Sequence, residues 1–320
     1  MIKAEIKDLE LVEHIKSLPK DEMAIFVMTE GRIRGALFHG TRFVNQARAQ
    51  HNLGILETMI FGQGALCGAL MIPLMKGKEH ATLRYEVDGP AQGFSVEADS
   101  KGTVRGYLFD EHIPVEAPLE NWNLKPFLGS GTLSVSTIHQ GDKNPFTSSV
   151  AVDSGNIAQD LAYYYKQSEQ LSTAFNTGIQ LDKKGRVIGA GGLFLQIMPE
   201  TGGKRGSGAA KSSSADKTVD DELISRAEMA FSTAPSIGQW FSENGTIEDL
   251  VYGLFREFKP VIALRRNVTF DCPCSEETYL NYIKHFPSEQ IEDIKKNGPD
   301  PLEVICRNCG SVYHIPVSKI

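Results

Sequence analysis

The sequence predicts an α+β protein: a mixed-sheet N-terminal domain with packed helices, a helical linker and a small C-terminal cysteine-rich module. Three observations predict this class. Residues 1 to about 200 mix short β-type runs with segments of helical periodicity, 219–265 repeats large apolar residues at helical spacing, and four of five cysteines fall in the last fifty residues. A length of 320 residues corresponds to about two domains. Hydrophobic residues at 41% and charged residues at 23% are typical of a chain that folds around a core.

The N-terminal domain, 1–200, is predicted from runs of β-branched and aromatic residues separated by turn residues. Strands are predicted at Met23–Met28, Arg32–Phe38, Thr82–Val87, Gly93–Ala98, Thr103–Phe109, Thr132–Ile138, Ser148–Val152 and Gly185–Met198. Helices are predicted at Arg42–Asn52, at 59–75 and from Asn156 to about Phe175.

Charge and hydropathy exclude several classes of protein. Forty acidic against thirty-three basic residues give a net charge of −7, which disfavours nucleic acid as the main partner. Met59–Met75 has no charged residue and is near the lower limit for spanning a membrane. Its glycines, Gln63 and Pro73 favour a small-residue helix buried in a protein core instead. The first residues contain acids and no signal-peptide core, so we expect a cytoplasmic protein with no membrane partner.

Two segments connect the N-terminal domain to the cysteines. Residues 201–218 contain four glycines, four serines and three alanines, a composition that predicts a flexible insertion. The helical linker, 219–265, then begins after a capping residue at Thr218. Its large apolar residues need a surface to pack against, and they include Trp240, Phe241, Leu254, Phe255 and Phe258.

The cysteines carry the strongest functional signal. Cys272 and Cys274 are followed, after thirty-one residues, by Cys306 and Cys309. Two close thiol pairs at such a separation are typical of a tetrahedral Cys₄ zinc site, so the module 266–320 is predicted to bind one Zn²⁺. Two histidines nearby, His285 and His314, are alternative ligands. Cys67 lies alone in the apolar stretch and is predicted to be a buried hydrophobe.

The spacing of the first pair favours a redox switch. Residues i and i+2 of an extended chain have Cα atoms about 6.5 Å apart, near the upper limit for a disulfide. Such a bond is strained and easily reduced, which is typical of regulatory disulfides.

Motifs for catalysis are missing from the sequence. It contains no G-x-x-x-x-G-K-[ST], H-E-x-x-H or G-x-S-x-G, and the glycine clusters lack the strand and helix context of a dinucleotide site. We therefore expect no enzyme activity and no nucleotide cofactor.

Together these residues resemble the 33 kDa chaperonin family, the redox-regulated heat-shock holdases. Beside the cysteine spacing, the resemblance rests on four runs: Gly102-Thr103-Val104-Arg105-Gly106-Tyr107, the segment from Ser154 to Tyr165, Ser168-Glu169-Gln170, and the segment from Gly191 to Pro199. It covers nearly the whole chain. Residues 201–218 are an insertion relative to the family pattern, and Pro273 stands where the family usually has other residues.

The resemblance implies an ATP-independent stress-response chaperone that is inactive while its cysteines are reduced and bind zinc. It implies that oxidation forms the disulfides Cys272–Cys274 and Cys306–Cys309, releases zinc and unfolds the switch module and linker. The active form would be a homodimer that binds unfolded client proteins and prevents their aggregation.

Two other functions remain as alternatives from the residues alone. The first is a constitutive zinc ribbon that binds nucleic acid or protein, although six basic and eight acidic residues in 266–320 disfavour a phosphate-binding surface. The second is a dithiol oxidoreductase that uses Cys306 and Cys309, although thioredoxin-like motifs have no second thiol pair.

Overall fold

A computed structural model describes residues 2–115, 119, 121–142, 144–198 and 214–320, with the side chains of the last range from residue 221 onward. In chain order its strands are β1 (Glu22–Met28), β2 (Ile33–His39), β3 (His80–Val87), β4 (Gly93–Asp99), β5 (Thr103–Leu108), β6 (Gly131–Ile138), β7 (Phe146–Val152), β8 (Thr173–Leu181), β9 (Val187–Ile197), β10 (Val261–Arg266), β11 (Thr269–Phe270), β12 (Leu302–Ile305) and β13 (Val312–Ile315). Its helices are α1 (Leu9–Ser17), α2 (Thr41–His51), α3 (Ile55–Met71), α4 (Lys125–Leu128), α5 (Ile157–Tyr164), α6 (Ser214–Ser232), α7 (Ile237–Ser242), α8 (Ile247–Leu254), α9 (Glu276–Lys284) and α10 (Ser288–Asn297).

The strands form two large sheets and a separate hairpin. The first sheet has the order β10-β1-β2-β9-β8, and the second has the order β11-β5-β4-β3-β6-β7. β11 lies parallel to β5, whereas β5, β4, β3, β6 and β7 run antiparallel to their neighbours, so the second sheet is mixed. β12 and β13 pair with each other near the C-terminus. The predicted α+β class with a mixed sheet is confirmed.

Helix α3 lies in the core and contacts strands of both sheets. Because it is surrounded on all sides, nearly every residue is apolar or small, and a Cβ at Gly64 would lie 2.6 Å from the Phe94 ring. The stretch Ile55–Leu74 is long and apolar enough to cross a membrane, yet 83% of its most apolar window is buried in the fold. The prediction of a buried core helix therefore describes this segment correctly.

The helices of the linker cover the outer face of the first sheet. One apolar cluster joins the two layers, and its buried members are Ala24, Phe26, Met28, Ile33, Leu37, Leu193, Leu195, Ala227, Ile237, Phe241, Ile247, Leu250, Val251, Phe255 and Phe258. Trp240 and Leu254 are half-buried at its edge. This arrangement gives the linker's large apolar side chains the partner surface that the sequence required.

The structure differs from the sequence prediction at two strands. The helix expected from Asn156 to about Phe175 ends in a π-helical turn at 165–169, where Gln170 takes a left-handed φ of 55°. The chain then forms β8, which pairs with β9 along its whole length. The linker, 219–265, is not helical throughout either, because β10 lies hydrogen-bonded against β1. β10 pairs with a strand that lies far away in the sequence, whereas β8 and β9 are consecutive strands that form a hairpin. In both cases pairing with another strand decides the conformation.

Two further differences concern α6 and α1. α6 begins at Ser214, which is earlier than the expected cap at Thr218, and the remainder of the predicted insertion, 201–213, lies outside the described residues. α1 was not predicted from the sequence; its N-cap is Asp8, whose side chain accepts a hydrogen bond from Leu11 N at 2.9 Å.

Candidate metal centre

The four C-terminal cysteines come together at one point. The sulfur atoms of Cys272, Cys274, Cys306 and Cys309 all lie within 4.8 Å of one another. Cys272 Sγ is 3.8 Å from Cys306 Sγ, and Cys274 Sγ is 3.5 Å from Cys309 Sγ. Cys272, Cys306 and Cys309 are buried, and Cys274 is half-buried. Such a group of four sulfurs can hold a metal ion.

The first pair is held between a strand and a helix. β11 ends at Phe270, and α9 begins after Ser275, whose side chain caps the helix by accepting from Thr278 N at 3.1 Å. Both cysteines therefore sit on a short connection that is fixed at its two ends. Tyr313 also holds this connection, because its hydroxyl donates to the Cys274 carbonyl oxygen at 3.0 Å.

The second pair lies in the turn of the β12–β13 hairpin. Cys309 N and Gly310 N both donate to the carbonyl oxygen of Cys306, at 3.2 and 2.8 Å. Gly310 has a φ of +69°, a left-handed conformation that favours glycine. Cys306 N donates to Ser311 O at 2.8 Å and closes the turn. Both sulfurs of the second pair therefore belong to one tight loop.

Ionisation within the cluster is uneven. The pKa of Cys306 is lowered, because Cys272 and Cys309 donate hydrogen bonds to its sulfur. The pKa of Cys309 is raised, because its contacts with Cys272 and Cys306 and its burial favour the protonated form. Thiols at this spacing therefore lose a first proton readily and a second only with difficulty, unless a cation neutralises them.

The other candidate residues stand apart from this cluster. His285 and His314 are exposed and are not part of the sulfur group among the described residues. Cys67 is fully buried in α3, and burial raises the pKa of its thiol. The core therefore contains it as an inert small apolar residue.

Several residues that the sequence did not single out connect the cluster to the N-terminal domain. Arg105 on β5 donates from Nη1 to Cys272 Sγ at 3.6 Å. Arg307, inside the second cysteine loop, places its guanidinium carbon 4.1 Å from the ring centroid of Tyr107. β5 alternates between core-facing and module-facing residues, which puts Arg105 and Tyr107 on the same face. This alternation is visible in the sequence, but it does not reveal what the outer face contacts.

The N-terminal segment is a second connection. Ile2 N donates to Asp271 Oδ1 at 3.1 Å, and Lys3 N donates to Ser311 Oγ at 3.1 Å. Ile2 also packs against both the main core and the cysteine cluster. The first residues therefore lie between the module and the core.

Comparisons with known proteins agree with this architecture. The model of the Hsp33 protein family matches residues 21–316. The 33 kDa chaperonin of Thermotoga maritima is 31% identical over 289 residues, which are 89% of this chain and 91% of that protein. The 33 kDa chaperonin of Thermus thermophilus is 33% identical over 307 residues, 91% of this chain and 83% of that protein. The crystal structure of the Thermotoga maritima protein matches with a TM-score of 0.77 at 28% identity, covering 94% of this chain and 96% of that one. Since the family match spans most of the sequence and these relatives are chaperonins by name, the chain belongs to the Hsp33 family of chaperones.

Proposed function

We propose that this chaperone is a redox-regulated, ATP-independent holdase. It is inactive while its four C-terminal cysteines are reduced and bind zinc, and after oxidation it binds unfolding proteins, as a homodimer, and prevents their aggregation. The observation that carries this proposal is that the four sulfurs lie together in the module that follows the linker, where three of the four buried residues of the cluster are cysteines. A cytoplasmic location, where thiols are kept reduced, suits such a switch.

Zinc is the metal that the four sulfurs fit. A tetrahedral ion with Zn–S bonds of about 2.3 Å places neighbouring sulfurs about 3.8 Å apart. The two closest sulfur pairs, at 3.8 and 3.5 Å, are near that value. When bound, zinc would supply the positive charge that allows Cys272, Cys274, Cys306 and Cys309 to remain thiolates together. Four protein ligands close the site, which is typical of structural rather than catalytic zinc.

The first prediction concerns stoichiometry. The reduced protein should bind one zinc per chain, and Cys67→Ser should bind the same amount because Cys67 lies in α3, away from the cluster. Cys306→Ser should lose the ion to the chelator, since a site with three thiolates binds zinc more weakly than one with four. Zinc measured by a chromophoric chelator, together with a thiol count, checks this. A Cys67→Ser protein without zinc beside a Cys306→Ser protein with zinc would contradict the assignment.

The proposed oxidation balances with four thiolates and two molecules of hydrogen peroxide. Two thiolates give up two electrons and form one S–S bond, while hydrogen peroxide takes these electrons and two protons and leaves as two waters. Two disulfides therefore consume two peroxides and four protons. The proposed bonds are Cys272–Cys274 and Cys306–Cys309, and all four sulfurs lie within 4.8 Å of one another. Without thiolates to bind it, the ion would be released.

The face of the first sheet beneath the linker is the surface that we propose for clients. It carries Phe26, Met28, Ile33, Leu37 and Leu193, all buried while the linker helices cover them. Release of the linker would expose these residues and the apolar faces of α7 and α8 together. A contiguous apolar surface of several hundred Å² is typical of sites that bind unfolded chains.

The second prediction is the activity itself. Protein oxidised with peroxide should suppress the aggregation of a chemically denatured test protein without nucleotide, and reduced protein should not. Oxidation should also increase binding of a hydrophobic dye and quenching of Trp240, which is half-buried beside the cluster. Light scattering, fluorescence and sedimentation measure these changes. Equal suppression of aggregation by both redox states would contradict the switch.

A further inference from the structure

Arg105 joins the cysteine cluster to the core sheet. Its Nη1 donates to Cys272 Sγ at 3.6 Å, across the boundary between the N-terminal domain and the module. Glu97 on β4 holds the same guanidinium, with Oε2 at 2.8 Å from Nε and 2.6 Å from Nη2. Glu97 and Arg105 are direct partners in the β4–β5 ladder, so the sheet fixes the direction of the guanidinium.

The contact lies where the module leaves the core. β11 pairs with β5 over only two residues, and Asp271 N then donates to Val104 O at 3.0 Å. The contact between Arg105 and Cys272 comes directly after this pairing, since Arg105 follows Val104 on β5 and Cys272 follows Asp271. It is therefore a charged contact at the end of a very short strand pairing.

We propose that Arg105 is a positioning residue of the metal centre, which stabilises the thiolate of Cys272 and loses this contact when Cys272 is oxidised. The inference rests on the proposed metal and redox function. A guanidinium donates strong hydrogen bonds to an anionic acceptor, and four thiolates around one divalent ion carry a net negative charge. A disulfide sulfur is neutral, so oxidation leaves Glu97 as the charged partner that holds the guanidinium. The contact between the core sheet and the module therefore depends on the charge of the Cys272 sulfur.

The test compares reduced full-length protein with Arg105→Gln and Arg105→Lys, using zinc alone as the probe. Competition with a chromophoric chelator should give Arg105→Gln at least about a tenfold weaker zinc affinity, as for other residues that contact a metal ligand. Arg105→Lys keeps the charge but not the planar fork, so it should recover part of the loss. With cobalt(II) as the bound ion, the sulfur-to-metal charge-transfer band of Arg105→Gln should move to longer wavelength, because the sulfur loses a hydrogen bond.

Arg186→Gln is the matched control. Arg186 pairs with Asp182 at 2.7 Å between β8 and β9, and its side chain is about as exposed as that of Arg105. This variant should change neither the zinc affinity nor the cobalt band. It separates loss of an arginine–carboxylate pair from loss of the contact with sulfur.

The outcomes separate this inference from the function on which it rests. Wild-type zinc affinity and an unshifted cobalt band in Arg105→Gln would overturn the inference alone, even if the variant melts at a lower temperature. Absence of zinc binding in the wild-type protein would overturn the proposed function and the inference together. If Arg105→Gln does not fold, Arg105→Lys decides: a weaker affinity with a shifted band supports the inference, and wild-type values overturn it.

Discussion

Replacing Phe255 by aspartate should give the reduced, zinc-bound protein chaperone activity without any oxidant. Phe255 is fully buried, and its ring stacks on Phe26 with the centroids 5.7 Å apart. Losing this burial costs about 1.5–3 kcal/mol, and an unpaired carboxylate in the same place adds a desolvation cost. The free energy that holds the linker on the sheet should fall enough to expose the proposed client surface in part of the molecules. Suppression of aggregation by the reduced variant, measured by light scattering, checks this.

Two further variants sharpen that experiment. Tyr252→Asp is the matched control, because Tyr252 lies on α8 but is 45% exposed, so it should remain inactive when reduced. Phe258→Asp should have a smaller effect than Phe255→Asp, since the Arg226 guanidinium lies 5.6 Å from the Phe258 ring and can neutralise a carboxylate there. A Phe255→Asp protein that keeps zinc, exposes Trp240 to a quencher and still fails to prevent aggregation would contradict the role of the covered surface.

The cysteine cluster was predictable because its information is local. Each thiol pair lies within four residues. The spacing in the sequence therefore already shows that each pair supplies two sulfurs from one short loop. The strands β3, β4 and β5 were predictable for a related reason, since their alternating residues and intervening turns are contiguous in the chain. In both cases the residues that form the recognisable pattern lie close together in the sequence.

The strands β8 and β10 were missed for two different reasons. Val261–Arg266 leaves most of its side chains exposed and is a strand because it pairs with β1, more than two hundred residues earlier. The first residues of β8, 173–175, were predicted as the end of the preceding helix. In the structure that helix ends before Gln170, and these residues pair with the next strand, β9. A distant tertiary contact therefore decides the conformation at β10, and a hairpin with the following strand decides it at β8.

Arg105 shows the same limit for the candidate site. Its partner Cys272 is 167 residues away in the sequence. On β5 it has the half-exposed position of an ordinary strand arginine, paired with a carboxylate on the neighbouring strand. Only the docking of the module against this face turns such a residue into a neighbour of the metal centre.

Removing zinc from the reduced protein should unfold the C-terminal module and leave the core sheets folded. Three of the four buried residues in the module's cluster are cysteines, the fourth is Tyr313, and α10 contains no buried residue. Structural zinc contributes about 10–16 kcal/mol in small domains, whereas disulfides closing loops of three and four residues contribute about 1.5–2 kcal/mol each. Peroxide treatment should therefore unfold the module as chelation does, since the disulfides return only a small part of the lost free energy.

Hydrogen exchange distinguishes the regions in that experiment. Amides of the β12–β13 hairpin should lose protection after chelation, and amides of β2 and β9 should keep it, because the latter lie inside the first sheet. Cys67→Ser should respond as the wild-type protein does, and added zinc should restore the hairpin under reducing conditions. Hairpin amides that stay protected without zinc would show that the module folds on its own.

β10 should open later than the hairpin, because its ladder to β1 and the pairing of Arg265 with Glu22 at 2.7 Å do not depend on the metal. Loss of the metal would then reach the linker through the short connection between β10 and Cys272, and this order of opening is what a switch requires.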